Sequence, residues 1–142
     1  MGHRLPNYKG RCWHPHGHRY TIEVGVNDKV SHAKGKHEEG MVIDFAYLKE
    51  VLLKQVDEPL DHAFMIHHED PWIAHFKAMQ KDGAKVVVVD FMPTAENIAK
   101  FIYEKMKKEL MKRKIALHQV TVCETPNCSA TYSIDDEMNE KR

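Results

Sequence analysis

Long apolar runs are absent from this 142-residue chain. None approaches the roughly 18 residues that a membrane-spanning helix requires. A charge excess of either sign is also lacking, since Lys plus Arg and Asp plus Glu each number 21. General binders of nucleic acid or of membrane surfaces carry a basic surplus, so neither partner is expected. Cysteine is scarce and odd in number, three in all, which argues against a disulfide framework. A reducing, cytoplasmic setting is expected instead. No apolar leader follows Met1, so no secretory signal is expected either. Repeats, low-complexity tracts and linkers are missing too. Residues 1–142 therefore read as one domain, long enough to bury a core without covalent staples.

What the sequence has in plenty is histidine, 11 in all. Three of them alternate in Cys12-Trp13-His14-Pro15-His16-Gly17-His18. In extended backbone, residues i and i+2 face the same way. His16 and His18 then share a face and can reach one metal ion, although solvated or core histidines would satisfy the pattern equally. The same face continues through Tyr20, Ile22, Val24 and Val26, so residues 19–28 predict a half-buried strand. The third ligand stays open. His3 can return across the turn-like segment Leu5–Arg11, whereas His14 precedes Pro15 and looks like a surface residue. Three imidazoles with one open position make a catalytic zinc arrangement.

Further on, residues 29–40 read as a loop. Asp44 reads as the cap of a helix to about Gln55, with Phe45, Leu48, Val51 and Leu52 as its apolar stripe. Residues 57–69 show no period. Asp70-Pro71 opens a short helix to about Lys81, and Val86–Val89 reads as a strand buried on both faces. Thr94 caps a long helix over 95–113, with Ile98, Phe101, Ile102, Met106 and Leu110 inward. Strands over 117–124 and 129–134 follow, and the polar tail from 136 to 142 is expected to fray. This order predicts an α+β fold, with helices on one face of a mainly antiparallel sheet.

Several other residues carry chemistry. Cys12 is either a small apolar filler or a thiol activated by a neighbouring cation. Asp61-His62 is either structural or a pair in which the carboxylate orients the imidazole. Glu124 closes the inward row Val120, Val122. It reads as an exposed strand end or as an acceptor for a planar, amidine-like edge. Capping and dipole complementarity suffice for Thr94, with Glu96 beside it at the helix start. Cys123 and Cys128 read as packing residues.

Taken together, GHRLPNYKGRCWHPHGHRY, GMVIDF (40–45), LDHAFM (60–65), PTAEN (93–97) and VCET (122–125) closely resemble the 6-pyruvoyltetrahydropterin synthase / QueD family. The resemblance covers nearly the whole chain and implies a T-fold. It also implies trimers or hexamers with active sites between subunits. By the same resemblance, His3, His16 and His18 match zinc ligands, and Cys12, Asp61 and His62 match catalytic groups. Glu124, Thr94 and Glu96 match the residues that hold the pterin. The spacing Cys-x-x-x-His-Gly-His is that of QueD-type enzymes, and no acidic residue lies between Gly10 and His18, unlike the branch that acts on dihydroneopterin. The implied reaction turns 7,8-dihydroneopterin triphosphate into 6-carboxy-5,6,7,8-tetrahydropterin, acetaldehyde and triphosphate, for queuosine (7-deazapurine) synthesis. The alternatives are a 6-pyruvoyltetrahydropterin synthase, or a T-fold protein that binds zinc or pterin without turnover. Family members carry a strand ahead of the first motif histidine. Here Met1-Gly2-His3 stands in that place, so the first strand is expected to be missing and residues 19–28 to lose a hairpin partner.

Overall fold

The computed structural model describes residues 1–142 and divides the strands between two sheets. Three antiparallel strands form the first: β3 (Thr21–Val26), β6 (Leu117–Thr125) and β7 (Cys128–Ser133), in the order β3-β6-β7. The predicted alternation holds in it. Val120 and Val122 are fully buried, and Ile22 and Val24 opposite them are partly buried. β3 pairs with β6 alone and so forms one edge of its sheet.

The helix α4 (Ala95–Leu110) lies across this sheet. Thr94 caps it, its side chain accepting from the Asn97 N–H at 3.4 Å. Ile98, Ala99, Ile102, Tyr103, Met106 and Leu110 recur at helical spacing and are almost completely buried. Each large apolar side chain so buried contributes about 1.5–3 kcal/mol, which makes the helix and sheet one unit. A short 3-10 turn, Met111–Arg113, and a left-handed Lys114 (φ 59°) end the helix.

The second sheet holds β1 (Gly2–His3), β2 (His16–Gly17), β4 (Phe64–His67) and β5 (Val86–Val89), in the order β2-β1-β4-β5. It is mixed. β1 runs antiparallel to β2 and parallel to β4, and β4 runs parallel to β5. Gly17 lets β1 and β2 approach closely, because a Cβ there would stand 3.2 Å from the Met1 carbonyl oxygen, a tight contact. β4 alternates as well: Met65 enters the main core, while Ile66 joins Phe76 and Val86 beneath α3 (Ile73–Lys81).

Several expectations change. The single antiparallel sheet becomes two, because residues 64–67 form a strand that their continuous apolar run did not reveal. The helix capped by Asp44 is α1 (Phe45–Leu52), and a π turn (Leu53–Asp57) carries it into α2 (Glu58–Leu60). Phe45 is 80% exposed on its first turn and stands outside the core. Val88 is 37% exposed, so β5 is not buried on both faces. The tail is not frayed. Ile134–Glu140 forms α5, closed by a capping box in which Ser133 and Asp136 satisfy each other's backbone N–H. Glu137 anchors that helix through Lys107 and Lys141, whose ammonium groups hold its carboxyl down at about 2.

Candidate metal centre and adjoining cleft

His3 sits on the inner strand β1, and its cross-strand partner is His16. His18 follows two residues later on the same face. The three imidazoles converge, with ring centroids 4.5 Å apart for His3–His16, 5.3 Å for His3–His18 and 5.0 Å for His16–His18. Their ligating nitrogens all lie within 4.8 Å of one another. The side chain of His14 points elsewhere, stacking edge-on against Trp13 at 5.0 Å.

Hydrogen bonds fix two of the tautomers. His3 Nδ1 lies 2.6 Å from the Pro93 carbonyl, and His16 Nδ1 lies 2.8 Å from the His14 carbonyl. A carbonyl only accepts, so both Nδ1 atoms donate and both Nε2 lone pairs stay free. Burial lowers the His3 pKa and favours neutral imidazole, against the opposing pull of the Pro93 carbonyl and Glu124. His3 Nε2 is buried without any hydrogen-bond partner. An orphaned lone pair facing two more imidazoles fits a divalent first-row cation. These three residues could hold one.

On one side of His3 opens a cleft of about 430 Å³. Cys12, Thr94, Glu96 and Glu124 line it together with His3, as do Tyr8, Asn127 and Cys128. Cys12 comes from the 3-10 turn Arg11–Trp13, Thr94 and Glu96 from the start of α4, and Glu124 from the end of β6. Glu124 Oε1 is 3.7 Å from His3 Nε2 and accepts a hydrogen bond from the Tyr20 hydroxyl at 3.2 Å. Burial, then the Glu124 charge, raises the Tyr20 pKa, so its proton stays in place to orient the carboxylate. Sequence reasoning placed Tyr20 in the core row only. Its position two residues after His18 on one face was the available signal. Cys128 is exposed in the cleft and is not a packing residue.

The pair Asp61–His62 lies elsewhere, on the turn between α2 and β4. His62 Nδ1 and Asp61 Oδ2 are 2.7 Å apart, with side chains 90% and 58% exposed respectively. That hydrogen bond holds the Asp61 carboxyl below its usual range. His62 takes the left-handed conformation (φ 56°). Both residues border hollows that also contain His18, but neither lines the cleft of Cys12 and Glu124. A second group of three potential ligands, His67, His68 and Glu69, begins on the last residue of β4. There, the Glu69 backbone N–H donates to His67 Nδ1 at 3.1 Å.

A family model described as 6-pyruvoyl tetrahydropterin synthase matches residues 1–135. The chain belongs to this family. The solved 6-pyruvoyl tetrahydropterin synthase of Caenorhabditis elegans superposes with a TM-score of 0.65 at 27% identity, covering 93% of this chain and 86% of that one. An uncharacterized protein of Wolinella succinogenes shares the fold with a TM-score of 0.75 at 24% identity, covering 94% and 92%. Among curated relatives, the 6-carboxy-5,6,7,8-tetrahydropterin synthase of Rickettsia bellii is 35% identical over 128 residues, 89% of this chain and 88% of its own. The enzyme of that name from Aquifex aeolicus is 37% identical over 129 residues, 86% of this chain and 75% of its own. As a member of the family, the chain is an enzyme of the synthase type, a lyase with the α+β T-fold. No helix in it is long and apolar enough to cross a membrane.

Proposed function

We propose that this enzyme is a zinc-dependent 6-carboxy-5,6,7,8-tetrahydropterin synthase acting in queuosine biosynthesis in the cytoplasm. Its substrate is 7,8-dihydroneopterin triphosphate, and its products are the carboxypterin, acetaldehyde and triphosphate. The observation that carries this reading is the cleft in which His3, Cys12, Thr94, Glu96 and Glu124 meet beside the three-imidazole cluster. The names of the relatives from Rickettsia bellii and Aquifex aeolicus point to the same product.

His3, His16 and His18 hold the zinc, which when bound supplies Lewis acidity that lowers the pKa of coordinated hydroxyls. Glu124 takes the amidine-like edge of the pterin through two acceptor oxygens, and Tyr20 keeps the carboxylate aimed. Thr94 and Glu96 hold the ring at the start of α4. Cys12 exchanges protons with the carbons and oxygens of the side chain. Asp61 orients His62, which exchanges the second proton. In one chain that dyad is exposed and outside the cleft. It therefore serves the cleft of a neighbouring copy, in a trimer or hexamer with sites between subunits. Exposed apolar groups such as Phe45 suit such an assembly.

Zinc-loaded protein incubated with 7,8-dihydroneopterin triphosphate tests the reading. Equimolar acetaldehyde and triphosphate are expected. Triphosphate without acetaldehyde would make the product 6-pyruvoyltetrahydropterin, and pterin binding without either would leave a binding protein.

A further inference from the structure

Arg4 is charged and 1% exposed. It follows His3 directly, and its Nε lies 3.4 Å from Asp70 Oδ2, itself fully buried. Yet Arg4 Nε, Arg4 Nη1 and Asp70 Oδ2 make no hydrogen bond. Such a buried pair calls for a reason. The guanidinium lies 3.7 Å from the centre of the Trp72 ring and 5.1 Å from that of Trp13. The two indoles meet edge-on, 5.1 Å apart. Two indole faces take the place of the missing acceptors, as they can for a weakly hydrated planar cation.

This arrangement ties three separate segments together. Arg4 continues the strand of His3. Trp13 belongs to the turn that carries Cys12, and the Leu5 N–H donates to the Cys12 carbonyl at 2.8 Å. Asp70 and Trp72 belong to the connection between β4 and α3, locked by the Trp72 N–H donating to Asp70 Oδ1 at 2.8 Å. We infer that Arg4, stacked on Trp72 beside Trp13 and paired with Asp70, is a positioning residue that sets the Cys12 thiol relative to the His3 centre. Its catalytic consequence rests on the role proposed above for Cys12.

The chain has only two tryptophans, so their exciton couplet in circular dichroism reports the clamp itself. Cys12 can be followed by its iodoacetamide alkylation rate in a Cys123→Ser, Cys128→Ser background. Arg4→Lys keeps the charge and loses the flat stacking surface. It is expected to collapse the couplet and to raise Cys12 alkylation roughly three- to tenfold, because the turn opens more often. Zinc should stay stoichiometric, while kcat falls roughly ten- to hundredfold and KM hardly moves. Trp72→Phe leaves the Arg4–Asp70 pair in place and should raise alkylation in the same direction, even where the Arg4 variant folds poorly. An intact couplet in Arg4→Lys, or unchanged alkylation in either variant, would overturn the inference. Absence of turnover in the unsubstituted enzyme would instead overturn the synthase reading and leave the alkylation rates to decide the clamp.

Discussion

Two groups of three potential ligands are built on the same mixed sheet. One is His3, His16 and His18 on β1, β2 and the residues just after. The other is His67, His68 and Glu69 at the end of β4. Both bring their ligand atoms within 4.8 Å of one another. They differ in the direction of one hydrogen bond. Carbonyls face Nδ1 of His3 and His16, so those rings turn a free Nε2 toward each other. A backbone N–H faces Nδ1 of His67. That Nδ1 must accept, the ring proton moves to Nε2, and the neutral imidazole has no lone pair left to offer. The groups differ in shelter too: His68 and Glu69 have side chains 49% and 76% exposed, whereas His3 is buried. Ligand count does not distinguish the two groups. The partner on the far ring nitrogen does, because it fixes which nitrogen can bind.

Substitutions can break or sharpen this contrast. The largest effect belongs to His16→Ala. Metal analysis should fall from about one ion per chain to background, and turnover should drop below about a hundredth of normal. Retained metal there, with loss in His67→Ala, would reverse the comparison. Cys12→Ala comes next. It should keep the metal and pterin binding while turnover falls by about 10²-fold or more, the scale for losing a general base; unchanged turnover would remove Cys12 from the mechanism. Glu124→Gln should keep the metal as well, but weaken pterin binding in calorimetry by roughly ten- to hundredfold, since one acceptor becomes a donor facing a donor. Equal affinity would mean that the ring is anchored elsewhere. His14→Ala and His67→Ala should leave metal stoichiometry alone. The first variant is the sharper, because only the His14 backbone carbonyl serves His16, and alanine retains it.

Much of this was legible in the sequence where a signal is local and periodic. Thr94 with the stripe of α4, the alternation from Tyr20 to Val26, and Glu124 at the end of its row follow from spacing alone. The pairing of His3 with His16 does not. β1 and β2 have two residues each, too few to show alternation, and their register is set by the turn between them. The Tyr20–Glu124 bond spans 104 positions and has no local trace. Residues 64–67 hid their strand because both of their faces are covered, which erases the alternation. The tail is a different failure. Ser133 and Asp136 spelled out a capping box, but the polarity of the segment read as fraying. What holds α5 is a set of ion pairs, and periodicity does not register those.

His62 adopts the left-handed backbone region with an imidazole attached (φ 56°) and is largely exposed to solvent. A non-glycine residue held there costs about 1–2 kcal/mol. Glycine would occupy the same turn without that steric cost, so His62→Gly should raise the unfolding free energy by up to about 1 kcal/mol once its extra unfolded-state entropy is counted, and the thermal midpoint with it. A lowered midpoint would show that the turn is not strained. Selection for durability alone would therefore favour glycine at this position. With histidine there instead, the turn carries backbone strain and projects an exposed imidazole, oriented by Asp61, outward from the surface.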